Sequence, residues 1–135
     1  MPRRVAVVIL LLVAGVLALS WPRINDVETG RTPEYPDLRP REFKSAPGEV
    51  SRAVEKAIRA IGWEFVGSGS GPKGAELRAV HTSIIRLRED VTARITTIPG
   101  GTRLSVRSRS QQLPWDLGQN ARNIRELLAA VDGVH

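Results

Sequence analysis

Within residues 107–120, RSRSQQLPWDLGQN, two hydroxyls (Ser108, Ser110), a carboxylate (Asp116) and an amide (Asn120) gather in a short span. Side chains of these types could hold a small polar ligand, or orient a nucleophile if a base stood beside them. Bases are scarce. The histidines are His81 and His135, and His135 is the last residue of the chain. His81 falls on the inward parity of a strand pattern, a setting that suits a hydrogen-bonded core histidine better than a general base. Glu89 and Asp90 are adjacent acids, but neighbours on a strand point to opposite faces, which argues against shared proton chemistry. With no cysteine there is no thiolate, and two histidines make a poor metal set. The residues lean away from an enzyme: no catalytic, metal or cofactor residue is assigned, and an unknown reaction stands third among the readings.

A second group is cationic. Pro99-Gly100-Gly101 between alternating runs marks a tight hairpin. Pairing Pro99 with Thr102 sets Ile95 opposite Val106 and Ala93 opposite Ser108, so the inward faces agree. The same register sets Arg94 opposite Arg107 on the outer face, where like charges repel. Parity turns Arg78, Arg103 and Arg109 outward too, along with Arg86 and Arg88. Guanidinium groups bind phosphate and carboxylate bidentately, so Arg78, Arg94, Arg103, Arg107 and Arg109 are anion-binding candidates. The simpler reading is a solvated face whose charges spread into water or pair with Glu76, Glu89 and Asp90.

The elements that must position these residues begin with a membrane-directed segment. The net charge is +6, falling to +4 without Arg3 and Arg4, which precede residues 5–19, a run without a charged or amide side chain. The run is shorter than the roughly 20 residues that cross a bilayer comfortably, although Ser20 and Trp21 extend it. Ala18-Leu19-Ser20 offers small residues for signal cleavage, while Trp21 and Pro22 make an awkward new terminus. The reading retained is an anchor over residues 1–21 with the domain on the exported side, in bacterial terms the periplasmic face of the inner membrane. Secretion after cleavage is the alternative. Residues 22–44 are polar, hold four prolines and show no regular period, so they read as an extended strap or linker in which Tyr35, Leu38 and Phe43 could pack.

The domain proper is expected over residues 45–133. A helix opens there, with Ser45 as a possible cap, Pro47 in its first turn and Val50, Val54, Ala57, Ile58 and Ile61 on one face; Gly62 stops it. Trp63 and Phe65 then alternate as a strand. Residues 67–74, GSGSGPKG, miss the phosphate-loop spacing, because Pro72 stands where a glycine must be and a strand pattern comes next; they read as a flexible hairpin loop. Residues 75–95 form one bent strand or two. Finally, Asp116 and Gln119 make a capping-box pattern ahead of a helix whose stripe is Leu117, Ala121, Ile124, Leu128 and Val131. Asn120 lies at the edge of that stripe, where a half-buried amide bonds nearby backbone.

Arg107-Ser-Arg-Ser110, then Asp116-Leu-Gly118, Asn120 and Ile124 resemble the carboxy-terminal signature of the domain-of-unknown-function family 1499, Arg-Ser-x-Ser-Arg followed by Asp-x-Gly-x-Asn and Arg-Ile. Ile24-Asn-Asp-Val27 with Thr29, residues 32–37 (TPEYPD) and Arg88-Glu-Asp-Val91 are similar to its earlier segments. The likeness covers roughly residues 24–130 and implies a small domain behind a membrane-directed segment, without an established activity. Gln111, Leu113 and Asn123 depart from the pattern, standing where the family has arginine, glycine and arginine. The motif residues Ser108, Ser110, Asp116, Gly118 and Asn120 are read as structural.

The expected fold is α+β: an N-terminal membrane helix, a helix, an antiparallel sheet of about four to five strands and a C-terminal helix, both domain helices covering one sheet face. The expected role is a non-catalytic binding or accessory module at the envelope, with anion or lipid head-group binding through the arginine face as the second reading. Expected partners are the membrane, through residues 5–21, and an anionic lipid or an envelope protein. Nucleic acid is disfavoured by export and by the lack of aromatics among the arginines.

Overall fold

The computed structural model describes residues 2–20, 24–71 and 74–135, with the side chains of 18–20 outside that description. The chain runs through helix α1 (Arg3–Ser20), strands β1 (Asp26–Glu28) and β2 (Arg41–Phe43), helix α2 (Pro47–Ala60), strands β3 (Glu64–Gly71), β4 (Gly74–Thr82), β5 (Arg88–Ile98) and β6 (Gly101–Ser110), and helix α3 (Gln119–Val134). The strands build a six-stranded antiparallel sheet in the order β1-β6-β5-β4-β3, and β2 pairs with β6 beyond β1. α2 and α3 pack against each other and against the sheet.

Between helices and sheet lies an apolar core. Period-2 alternation supplies Leu77, Ala79, Val91, Ala93, Ile95, Leu104 and Val106, and helical spacing supplies Val50, Val54, Ala57 and Ile58 from α2 and Ala121, Ile124, Leu128 and Val131 from α3. Each valine, leucine or isoleucine among them contributes roughly 1.5–3 kcal/mol when fully buried, and each alanine less. The expected α+β class and two helices thus stand. α1 differs from them, since its described side chains from Pro2 to Leu17 are all exposed. Among the described residues no helix is long and apolar enough to cross a membrane.

The strap is more regular than expected. It contributes β1 and β2, which raises the strand count to six, because β6 would otherwise leave its outer edge unpaired. Between those strands Leu38 is buried, Tyr35 and Phe43 pack on the core, and Arg125 holds Asp37 through two guanidinium nitrogens while lying over the Tyr35 ring. Residues 67–71 are likewise strand rather than flexible loop, paired backbone to backbone with β4 along a largely exposed edge; Pro72 and Lys73 lie outside the described residues. Residues 75–95 resolve into two strands, joined by a loop over 83–87.

The β5–β6 hairpin turns one residue earlier than expected, pairing Ile98 with Gly101. The two-residue loop is Pro99-Gly100, and Gly100 takes the positive φ of 81°. Gly101 is needed inside the strand, where an added Cβ would sit 2.0 Å from the Phe43 carbonyl oxygen of β2. The shift preserves parity, so inward faces still match, but Ile95 now meets Leu104 and Ala93 meets Val106. Arg94 faces Ser105 instead of Arg107, which removes the expected like-charge pair.

Arg107 instead grips Asp26 of β1, donating from Nε to Oδ1 at 2.8 Å and from Nη2 to Oδ2. Hydrogen bonding to Arg107 holds the Asp26 carboxyl below the usual aspartate range, outweighing burial, with the charges of Arg107 and Arg109 adding to it. A carboxyl lowered in the folded state stabilises fully above its unfolded pKa, near 4, and loses that contribution as pH falls through the folded value. We expect the urea midpoint of the native chain to exceed that of Asp26→Asn at about pH 6, and the gap to close as pH falls below about 4. A gap independent of pH would remove the ion pair from the stability of the β1 edge.

Candidate functional site

The five motif residues meet at one end of the sheet. Ser108 and Asn120 are fully buried, and Asn120 receives the Ser108 hydroxyl on Oδ1 at 2.7 Å. Its Nδ2 donates to the Ser110 hydroxyl at 2.9 Å and to the Asn25 carbonyl at 3.0 Å. Asn120 therefore sits deeper than the stripe edge expected of it, and its partners come from β6 and from the chain entering β1. Helix spacing explains the depth: Asn120, Asn123 and Leu127 recur at three and four residues and are all buried.

Asp116 caps α3, accepting the Asn120 N–H on Oδ2 and the Gly118 N–H on Oδ1, both at 2.8 Å. The capping box is half formed, because the Asp116 N–H goes to the Ile24 carbonyl at 3.1 Å and Gln119 turns to Asn123. Gly118 is needed for its φ of 82°, and Leu117 before it adopts φ 52°. That leaves Leu117 43% exposed, not in the helix stripe where spacing placed it. The expected N-cap of α2 also differs: Ala46 occupies the cap without a side-chain bond, and Ser45 faces the His135 ring.

A second branch of the network reaches Glu89, which is only 3% exposed. Asn123 Nδ2 donates to Glu89 Oε1 at 2.9 Å and to the Ser108 hydroxyl at 3.2 Å, while Gln119 Nε2 donates to Asn123 Oδ1 at 2.7 Å. His81 Nδ1 lies 2.5 Å from the same Glu89 oxygen, and its ring meets the edge of Trp63. Glu89 and Asp90 do point to opposite faces, Asp90 being exposed. Among the described residues no buried side-chain polar atom lacks a partner. Among the described residues Glu89 Oε2 has no hydrogen-bond partner, so it is not fully buried, and Glu89 borders an open space.

That space is a cleft of about 430 Å³ between the 83–87 loop, the β6–α3 connection and the start of α3. Leu87, Leu113, Trp115 and Leu117 give it apolar walls, and its polar lining includes two acids, Glu89 and Asp116, and two cations, Arg88 and Arg122, besides Ser110. Volume and lining are those of a small-molecule site with few polar anchors. Two non-glycine residues with left-handed backbone stand near its mouth, Leu117 and Arg86 (φ 63°). Each costs about 1–2 kcal/mol, and the structure must hold them. Arg122 does so for Leu117, donating to its carbonyl at 3.1 Å. Sequence reasoning missed Glu89, Asn123 and the cleft; the three-residue spacing from Asn120 to Asn123 was the signal available.

The arginine candidates lie on the opposite, solvent-facing side of the sheet. Arg94 meets Glu76 and Glu28, Arg103 meets Glu42, and Arg107 meets Asp26. Three of those four carboxylates belong to the strap. Arg78 and Arg109 have no ion pair among the described residues. Among the same residues no group of three histidine, cysteine or acidic side chains is placed to hold a metal.

Architecture and corner together define a two-layer α+β domain with a buried polar network at one end of the sheet. The model of the family described as protein of unknown function (DUF1499) matches residues 17–131, and the chain belongs to that family. No match to a curated protein or to a solved structure was found.

Removing Asn123 takes a donor from a buried carboxylate and a partner from Ser108, whereas removing Asp116 exposes helix N–H groups to water. Asn123→Ala should cost about 2–3 kcal/mol and Asp116→Ala about 1 kcal/mol in urea unfolding. The reverse order would mean that the helix cap, not the network, holds the corner.

Proposed function

We propose that this chain is a membrane-tethered domain on the exported side of a cell envelope, acting as a non-catalytic binding module whose ligand seat is the cleft over Glu89. The observation that carries the reading is the cleft itself, with apolar walls and the buried residue Glu89 at its border. The ligand that fits is small, with an apolar body and a cationic or hydrogen-bond-donating end to meet Glu89, while Arg88 and Arg122 in the same lining make an anionic end the competing case. A binding role is favoured over catalysis because Asp116, Ser108, Ser110 and Asn120 are engaged with one another and with backbone.

Tethering is supported by α1. Its 18 residues rise about 27 Å, short of the roughly 30 Å hydrocarbon layer, and the sequence continues the apolar segment through Trp21. Leu10, Leu11, Leu12 and Val16 are each about two-thirds exposed, an apolar surface that water disfavours and lipid would cover. Arg3 and Arg4 ahead of the segment favour export of the chain beyond it. Anion binding on the arginine face is the weaker reading, since a ligand there must displace carboxylates from Arg94, Arg103 and Arg107.

Trp115 borders the cleft and reports on it. With the full chain in lipid nanodiscs, hexylamine should shift tryptophan emission saturably and hexanoate should not. The shift should disappear in Trp115→Phe and weaken at least tenfold in apparent affinity in Glu89→Gln, in line with loss of a charged hydrogen-bond partner. Equal responses to amine and carboxylate, or none, would count against the cleft as a cation-accepting seat.

A further inference from the structure

We infer that the tip of the β4–β5 connection, residues 83–87 with Leu117 beside them, is a lipid-facing surface that seats in the head-group region of the bilayer. The inference rests on the tether reading above and adds a second, independent point of contact. Ile84 is fully exposed and Ile85 is 73% exposed, side by side at the end of a hairpin. Isolated exposed apolar residues are ordinary, but two adjacent isoleucines and Leu117 are all exposed and all border one apolar cleft.

The charges around the patch match a lipid surface. Arg86, next to Ile85, has no ion pair among the described residues. Arg122 donates only to neutral oxygens, the Leu117 carbonyl and Gln119 Oε1, so its charge is uncompensated by a carboxylate. Arg88 shares its charge with Glu64 at 3.3 Å. Of the nearby acids, Glu89 bonds His81 and Asn123 and Asp116 bonds the amino terminus of α3, and neither pairs with Arg86 or Arg122. Apolar side chains at the tip with arginines just behind them suit insertion beneath anionic head groups.

Chain connectivity puts this patch on the membrane side. Entering the domain, the backbone is fixed at the cleft end: the Ile24 carbonyl accepts the Asp116 N–H at 3.1 Å, and the Asn25 carbonyl accepts the Ser110 N–H at 2.8 Å. Ser110 and Asp116 both border the cleft. α1 ends at Ser20, and four residue steps to Ile24 span at most about 14 Å. A bilayer that holds α1 therefore lies close to the cleft end, whereas the β5–β6 turn at Pro99-Gly100 is at the other end of the strands.

The chain has no cysteine, so a single Ile84→Cys or Thr97→Cys substitution gives a unique labelling site on an exposed residue. The full chain, labelled with an environment-sensitive fluorophore, would be reconstituted with vesicles of phosphatidylcholine containing a minority of phosphatidylglycerol, with and without nitroxide-bearing lipid, and floated on a density gradient. The expected result is flotation, with a label at 84 losing most of its emission to the nitroxide and one at 97 keeping it. Flotation with equal quenching at both sites overturns the lipid-facing tip and leaves the tether standing. Failure to float overturns both. A label at 84 shielded from aqueous iodide yet out of reach of the lipid nitroxide also overturns it, in favour of a protein surface over the tip.

Discussion

Asn120 is the constraint on which the corner depends. One buried amide joins three pieces of chain that are distant in sequence: the segment entering β1 through the Asn25 carbonyl, the end of β6 through Ser108 and Ser110, and α3 through its own backbone. A buried amide without partners would cost several kcal/mol, so the fold that satisfies it is selected against alternatives that do not. The family signature then reads as one physical object. The two serines, the cap aspartate, the left-handed glycine and the amide are the parts needed to bring a strand end into a helix start beneath an apolar core.

Charge is handled by separation. On the solvent side of the sheet, the strap lays Asp26, Glu28 and Glu42 against arginines of β5 and β6, which fixes β1 and β2 without burying their ions fully. Such partly exposed pairs contribute modestly to stability. On the core side Glu89, the one buried carboxylate among the described residues, is held by Asn123 and His81 and borders the cleft. The exposed isoleucines and the segment entering β1 share that same end, so the cleft, the chain entry and the isoleucines belong to one region.

The core was legible in the sequence because it obeys two short periods. Alternation fixed which faces of β4, β5 and β6 turn inward, and that parity survived a two-residue error in cross-strand register. The strap strands were not legible: three-residue strands at Asp26 and Arg41 carry no alternation, and what orders them is the open edge of β6. Of the corner, the cap at Asp116 was readable from local spacing, but the depth of Asn120 and the role of Glu89 were not. Both depend on partners far along the chain, such as Asn25 for Asn120 and Asn123 for Glu89. Leu117 was misplaced because helical spacing was extended one turn too far, into residues whose backbone is left-handed.

The most direct test of this account is amide hydrogen exchange on the full chain, comparing the native protein with Asn120→Ala under conditions where both remain folded. If Asn120 is the joint, the Ser110 and Asp116 amides, which bond to Asn25 and Ile24, should lose most of their protection while the amides of the β4–β5 ladder keep theirs. Unchanged protection at Ser110 and Asp116, or a uniform loss across the sheet, would contradict it.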